Sequence, residues 1–513
     1  MTASSRRNAG EPYEHGLALA GLGRHAEAIE QFERALAARP NDAHVLFALG
    51  RTAEAIGHGA AAEAFFRRVL DREPDRIAAL VNLANLMRKA ARTADIIDLL
   101  RPALERNPER AELWLTLGSA LREAGDLPTA ETFYREALRF QPGYAPALGN
   151  LADLLADRGG VDEALALYER VLAADPRNAQ ARLNRAILFL MRGELKKGWR
   201  DYEYRLRIKG RMISADHGLL EWDGKARDGK TVLVTAEQGI GDQIMFASLI
   251  PELAAKPGRV ILETEARLVP LFSRSFPHVT VEAARLQQRG GTPVATYDWL
   301  KPNHEAHAAI ALGSLPRLLR NDIAAFPNPH AYLSADVHER AHWGKWLNAQ
   351  GAGPFVGLCW RSGHVTGLRA AQYAPLNAWA DFIRDCPATP VSLQYDMQAD
   401  EFEALQRLSG RPILVPPRLN QRQEIDRTAA LISTLQTVVS APTSVSWIAA
   451  ALGVPTFKIL YNNSWTSFGE RYEPFAPSCR CMMPKASGDW KNAFERAASE
   501  LKPLPTRGVR PAP

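Results

Sequence analysis

The sequence predicts a two-part protein: an all-α repeat array followed by an α/β region built on parallel sheets. Three observations carry this. Prolines recur every 34 residues through the first two hundred. Beyond residue 230, short apolar runs alternate with helical patterns. The composition is that of a globular chain, 513 residues long, 46% hydrophobic and 23% charged, with length for several domains. The net charge of +6 is spread without a block of like charges, which gives no nucleic-acid or membrane tail. Four cysteines (Cys359, Cys386, Cys479, Cys481) are too few for a disulfide framework, and Cys479-x-Cys481 lacks the second pair of a zinc site. Reduced thiols and a cytoplasmic location are the expectation. No apolar stretch follows the arginines of MTASSRRNAGEP, so no secretory signal is expected. The uncharged run 428–457 is rich in Ser and Thr and holds Pro442 and Pro455, which fits a buried α/β core better than a membrane span.

The repeat is read from its register. The prolines are Pro40, Pro74, Pro108, Pro142 and Pro176. Twelve residues before each stands Ala28, Ala62, Ile96, Ala130 or Ala164; eight before stands Phe32, Phe66, Leu100, Tyr134 or Tyr168. Small residues let two helices approach, a large one fills the gap, and proline ends the second helix. This is the tetratricopeptide (TPR) pattern, and a degenerate sixth unit keeps Gly198 and Tyr202 in register, to about residue 208. Such repeats stack into a superhelix with a concave groove that holds peptides or proteins.

Counted so that proline is position 32, position 6 lies on the inner face and holds Asn82, Thr116, Asn150 and Asn184; position 9 adds Asn85. A carboxamide donates and accepts, so it can grip a ligand backbone without reading its side chain. The alternative is asparagine tolerated on a solvated face. The spacing resembles the asparagine ladder of O-GlcNAc transferase, which implies a polypeptide acceptor in this groove.

Residues 209–229 read as a linker. The runs TVLVTAE, RVILETE, FVGLCW, PVSLQY, TVVSAP and TFKILY then read as strands, with a hinge at Gly351–Pro354. The string GKARDGKT (224–231) matches a P-loop formally, yet it precedes a strand instead of following one. Gly239-Ile240-Gly241-Asp242 follows a strand and opens a helix. It is no full dinucleotide fingerprint, because Ile244 occupies the third glycine position. Asp242 thus stands at the carboxyl end of a parallel strand, where open α/β sheets bind ligands. It reads either as a general base or as a helix cap.

The segment AEQGIGDQIMFASLIPEL resembles the opening motif of glycosyltransferase family 9, the bacterial heptosyltransferases. GLCWRSG, Arg369, SLQYD and SAPTSVSWIAAALGVPTFKILY continue the likeness over about 230–480. The whole layout is similar to bacterial TPR glycosyltransferases of the O-GlcNAc-transferase-like and flagellin-modifying kinds, most of all the latter. The resemblance implies a GT-B fold, two facing Rossmann-like domains, with a nucleotide-sugar held mainly by the second. It implies Asp242 as catalytic base, and no resident cofactor.

The Ser440–Ser446 loop leaves a strand and opens a helix. Ser440, Thr443, Ser444 and Ser446, with the free amides there, offer a diphosphate site. Arg361 and Arg369 are expected to neutralise the leaving phosphate, Ser362 to line it, and Gln394 to meet base or ribose. Heptosyltransferases carry an aspartate where Ala441 stands, which disfavours ADP-heptose; CMP-, UDP- and ADP-linked sugars stay open. No Asp-x-Asp pair occurs, which agrees with metal-free transfer. Trp447, Tyr461 and Trp465 are candidates for a sugar pocket or for core, and His364 for a phosphate contact or plain solvation.

The expected organisation is a disordered 1–10, repeats over 11–208, the linker 209–229, Rossmann-like domains over 230–350 and 351–485, a helix over 486–502 crossing back onto the first of them, and a disordered tail 503–513. The expected activity is sugar transfer to Ser or Thr of a protein recruited by the groove, flagellin first. The rivals are a TPR adaptor or secretion chaperone with an inactive transferase domain, and a lipid or polysaccharide transferase.

Overall fold

The computed structural model describes residues 3–208, 214–215, 217–225, 229–237, 239–256, 258–289, 292–300, 306–327, 331–363, 370, 372–485 and 488–501. It divides into two compact units, Met1–Pro176 and Arg177–Pro513.

The first unit is five antiparallel helix pairs: α1 (Ala3–Gly21), α2 (His25–Ala38), α3 (Ala43–Ala55), α4 (Gly59–Leu70), α5 (Ile77–Lys89), α6 (Thr93–Arg106), α7 (Ala111–Glu123), α8 (Leu127–Phe140), α9 (Ala145–Asp157) and α10 (Val161–Ala174). Helix thus begins at Ala3, inside the stretch 1–10 that the sequence marks as unstructured. The registered residues Ala28, Phe32, Ala62, Phe66, Ala130 and Tyr134 are all fully buried. Glycine sets the closeness of the α3–α4 and α7–α8 pairs, whose second helices carry an aromatic ring. A Cβ on Gly50 would stand 2.7 Å from the Phe66 ring, and one on Gly118 would stand 2.8 Å from Tyr134. Successive repeats are stitched where their first helices end, by Lys89–Glu54 at 2.9 Å, Arg122–Asp157 at 2.7 Å, and Arg88 with Glu123. Such exposed pairs contribute about 0.2–1 kcal/mol each, so burial of the small and large residues carries the array.

The second unit opens with α11 (Ala179–Met191) and α12 (Leu195–Tyr202), the sixth repeat. The boundary of compactness therefore falls at 176/177, ahead of the 208 read from the repeat pattern. The reason is the chemistry of α12. Trp199 is buried, donates from Nε1 to the Arg320 carbonyl at 2.7 Å, and packs edge-on against Trp465, Phe468 and Phe475. Asp201 is fully buried between Arg182 (2.9 Å) and Arg185 (2.6 Å), which ties α12 to α11.

Two main sheets follow. Strands β1 (Ser214–Ala215), β2 (Leu220–Glu221), β3 (Thr231–Thr235), β4 (Arg259–Thr264), β5 (Thr280–Ala283), β6 (Leu286–Arg289), β7 (Thr292–Ala295) and β8 (Ala308–Ala311) precede residue 350. Five form an all-parallel sheet of order β2-β8-β3-β4-β5, and β1-β7-β6 make a small side sheet. After the Gly351–Pro354 segment come β9 (Phe355–Cys359), β10 (Thr389–Ser392), β11 (Thr437–Ser440), β12 (Thr456–Ile459), β13 (Tyr472–Glu473) and β14 (Ala476–Met482). Their order is β10-β9-β11-β12-β14-β13, parallel except for the last pair.

One hydrophobic cluster runs from Leu183 of α11 through β3 and α13 (Ile240–Ala247) to Cys479, so the sixth repeat and both sheets share a core. The two halves also bond directly, with Tyr332 OH donating to the Ile244 carbonyl at 3.0 Å, and Tyr332 N and Leu333 N to that of Ala451. The C-terminal helix Trp490–Leu501 does not cross back onto the first sheet as expected. Its Phe494 ring packs on Trp379 and Phe382 of the second half, in one apolar cluster with them. The tail 503–513 lies outside the described residues.

Candidate functional site

Strand β3 ends at Thr235, and the chain turns into α13 through Gly239, whose φ of +84° favours glycine. A Cβ there would also stand 3.1 Å from Oδ2 of Asp242, so the carboxylate folds back over the turn. Asp242 is exposed in the first turn of α13, where the helix dipole favours an anion. Three buried side chains fix the turn. Glu263 Oε2 accepts from Ala236 N (3.1 Å) and from Tyr297 OH (3.1 Å). Burial pushes the Glu263 carboxyl above its ordinary range, against those two hydrogen bonds. Glu237 takes the Gly313 amide at 2.9 Å and the Arg205 guanidinium at 2.6 Å. Gln243 donates to the Glu237 carbonyl at 2.6 Å and accepts from Thr264 Oγ1 and Glu265 N.

The start of α13 meets the start of helix Ser444–Ala451. A Cβ on Gly241 would stand 3.3 Å from Cδ1 of Trp447 and 3.7 Å from Cα of Ser444. The bare backbone at Gly241 thus brings the two helix N-termini, one from each sheet, into contact. The second one has no side-chain cap. Its amides are left to a ligand or water.

The hydroxyls around it divide. Ser440 is buried and donates to the Ala441 carbonyl at 2.6 Å. Thr443 Oγ1 lies 3.2 Å from Ser440 Oγ and 3.5 Å from Cys359 Sγ. Ser446 is buried and donates to the Thr443 carbonyl at 2.7 Å. These three hydroxyls brace the loop itself, and of the four only Ser444 is half-exposed. Ala441 is buried too, its amide on the Cys359 carbonyl at 2.7 Å.

Two further candidates have partners within the protein. Arg361 forms a fork with Glu401 (Nε to Oε1 2.7 Å, Nη2 to Oε2 2.6 Å), and its remaining donors reach the Ser362 and Asp396 carbonyls. Its charge is paired with Glu401, and four of its five N–H donors are engaged within the protein, so it shapes the loop after β9. Gln394 is buried, accepts from Trp360 N and Arg361 N, and donates to the Arg361 carbonyl at 2.9 Å. It clamps that turn. Ser362 is half-exposed beside Tyr395, whose hydroxyl accepts from Gly363 N at 3.2 Å. Arg369 and His364 lie outside the described residues. Tyr461 packs on Trp490, and Trp465 on Trp199 and Tyr202, which places both in the packing.

Sequence reasoning missed a buried ion pair under the same helix. Lys458 Nζ lies 2.6 Å from Glu473 Oε1, with both side chains essentially sealed from solvent, and Thr466 Oγ1 adds a bond at 3.0 Å. A lysine inside the apolar run TFKILY was the signal, since a buried ammonium needs a partner.

In the repeats, Asn82 and Asn85 are half-buried on the first helix of their pair, Asn85 accepting from Arg88 Nε at 3.4 Å. Asn150 donates to Ser119 Oγ at 3.1 Å. Thr116 is buried and donates its hydroxyl to the Glu112 carbonyl at 2.7 Å. Asn184 accepts from Gln180 at 2.6 Å and belongs to the second unit. Among the described residues no three His, Cys, Asp or Glu side chains cluster as metal ligands, and no helix is long and apolar enough to cross a membrane.

Comparison with known proteins agrees on the repeats. Tetratricopeptide repeat families match residues 19–86, 109–177 and 150–208. The chain is 32% identical over 312 residues to protein FlbA of Caulobacter vibrioides, covering 60% of this chain. It spans about half the length of that curated relative, 52%. A match of 312 residues is longer than the whole repeat array, so it reaches into the α/β region. Among solved structures, a thermophilic TPR protein of Thermus thermophilus is 27% identical, covering 36% of this chain and 99% of that one, with a TM-score of 0.32. PilF of Pseudomonas aeruginosa is 19% identical, covering 40% and 92%, with a TM-score of 0.34.

Proposed function

We propose that the chain is a metal-independent glycosyltransferase of GT-B type that moves a sugar from a nucleotide donor to Ser or Thr of a protein held by its repeats. The observation that carries this reading is the contact at Gly241. It sets the turn that bears an exposed carboxylate, Asp242, against an uncapped helix N-terminus at Ser444. An acid able to take a proton from an acceptor hydroxyl then stands next to backbone amides able to hold a leaving diphosphate. The family 9 likeness of the segments bearing both residues supports the same pairing. By the resemblance to flagellin-modifying enzymes, flagellin in the cytoplasm is the acceptor to try first.

The test is mass spectrometry of nucleotides that co-purify with the chain, followed by transfer from the identified nucleotide-sugar to flagellin. A bound UDP, CMP or ADP species and a sugar-sized mass increase on the acceptor are expected. A chain that holds no nucleotide and transfers none of the three donor classes overturns the reading.

A second reading is a recruiting protein whose α/β region has lost activity. It is favoured by Arg361, whose fork is taken by Glu401, and by the buried Ala441. Acceptor capture without nucleotide binding is its signature.

A further inference from the structure

We propose that Arg205 is a positioning residue for the Asp242 turn, so that the sixth repeat is a working part of the α/β region. The importance of that turn rests on the proposed function; the placement itself does not.

Arg205 lies in the short turn Glu203–Arg207 that follows α12, and its side chain is almost fully buried. Nη2 lies 2.6 Å from Glu237 Oε1 and 3.0 Å from Ser314 Oγ, and Nη1 lies 3.1 Å from Glu203 Oε1. The Tyr202 ring stacks 4.6 Å from the guanidinium carbon. The opposite wall is backbone. A Cβ on Gly313 would stand 2.8 Å from Glu237 Oε1 and 3.0 Å from Arg205 Nη2. Only a bare residue at 313 admits the pair.

Glu237 then passes the placement on. Its side chain is held by Arg205 and Gly313 N, and its carbonyl takes Gln243 Nε2 from α13. Glu237 is two residues before Gly239, where the chain turns toward Asp242. A displaced Glu237 therefore carries the start of α13 with it. Arg205 in turn has a fixed origin, because Trp199 and Asp201 lock α12 in the shared core. A buried ion pair is replaceable by apolar groups at no loss of stability, whereas a fixed bond direction is not replaceable that way. The geometry thus supplies position, beyond stability.

Four full-length proteins decide it: the parent, Arg205→Lys, Arg205→Met, and Arg205→Met with Glu237→Met. Hydrogen exchange is read by mass spectrometry over 236–246 and over repeat peptides in 43–140, beside thermal melts. Arg205→Met is expected to exchange at least about tenfold faster over 236–246, with the repeat peptides unchanged. Arg205→Lys should restore part of the protection. The double variant should regain the parent's melting temperature and still exchange fast over 236–246. Restored protection in the double variant, or parent-like exchange in Arg205→Met, overturns the proposal. If Arg205→Met does not fold, the double variant decides alone.

Turnover is a second readout. In a transferring protein the double variant should lose at least about tenfold in kcat with nucleotide affinity unchanged. Exchange is read whether or not sugar is transferred. An inactive parent with the expected exchange pattern defeats the proposed function and leaves the positioning intact. Sugar transfer with unchanged exchange does the reverse.

Discussion

The ammonium of Lys458 stands 3.9 Å from the centre of the Trp447 indole, and both residues are buried. Trp447 is also the residue that Gly241 touches, so a charge inside the second sheet supports the surface on which the two helix N-termini meet. Burial works against that charge, and Glu473 outweighs it and holds the lysine protonated.

Removing one partner should therefore cost more than removing both. Lys458→Met is expected to destabilise by about 3–5 kcal/mol, because it strands the Glu473 carboxylate in the core. Lys458→Met with Glu473→Gln should recover most of that loss. Thermal melts of the three proteins check it, and equal losses in the single and double variants would refute the pairing argument.

Asp242→Asn should lower sugar transfer by about 100- to 10,000-fold while nucleotide binding persists. The side chain is exposed, so the melting temperature should change little. Retained turnover would reduce Asp242 to a helix-dipole partner.

Glu263 provides a pH test. Its folded-state pKa is raised, so the folded state holds the proton more tightly than the unfolded chain does. The associated stability is complete below the ordinary glutamate value, about 4.3, and is lost as pH rises through the raised folded value. Glu263→Gln has no such loss. Its melting temperature relative to the parent's should be flat below the ordinary glutamate value and climb as pH rises above it; a difference independent of pH would contradict the shift.

Gly118→Ala should destabilise the repeats by about 1–3 kcal/mol, because the new methyl meets the Tyr134 ring. Coupling the change with Tyr134→Leu should relieve part of it. Chemical denaturation monitored by helix signal is the measure, and an unchanged midpoint would show that the ring gives way freely.

The repeats were legible because their period repeats one physical rule, small against large then proline, and five copies average out local noise. Six strands were legible as apolar runs. Strand β8 was not, since Ala308–Ala311 reads Ala-Ala-Ile-Ala and alanine has little strand preference, yet β8 lies between β2 and β3. Strand β14 was hidden by Pro477, Ser478 and Arg480. At the site, the placement of Asp242 at a strand end was readable. The directions of Ser440, Thr443 and Ser446 were not, because a hydroxyl at a helix start serves its own backbone as readily as a ligand. Arg361 read as a phosphate ligand because its partner Glu401 is forty residues away, and no local pattern announces such a pair.

The seam at 176/177 limits how such a chain can be rearranged in descent or by an engineer. Repeats ahead of Pro176 form a compact unit of their own. The pair that follows is bound to the α/β region: a splice at 208 would carry Trp199, Asp201 and Arg205 away with the repeats and leave Glu237 without its guanidinium partner. Any exchange of the repeats between related chains is expected to keep 177–207 with the α/β region that it packs into.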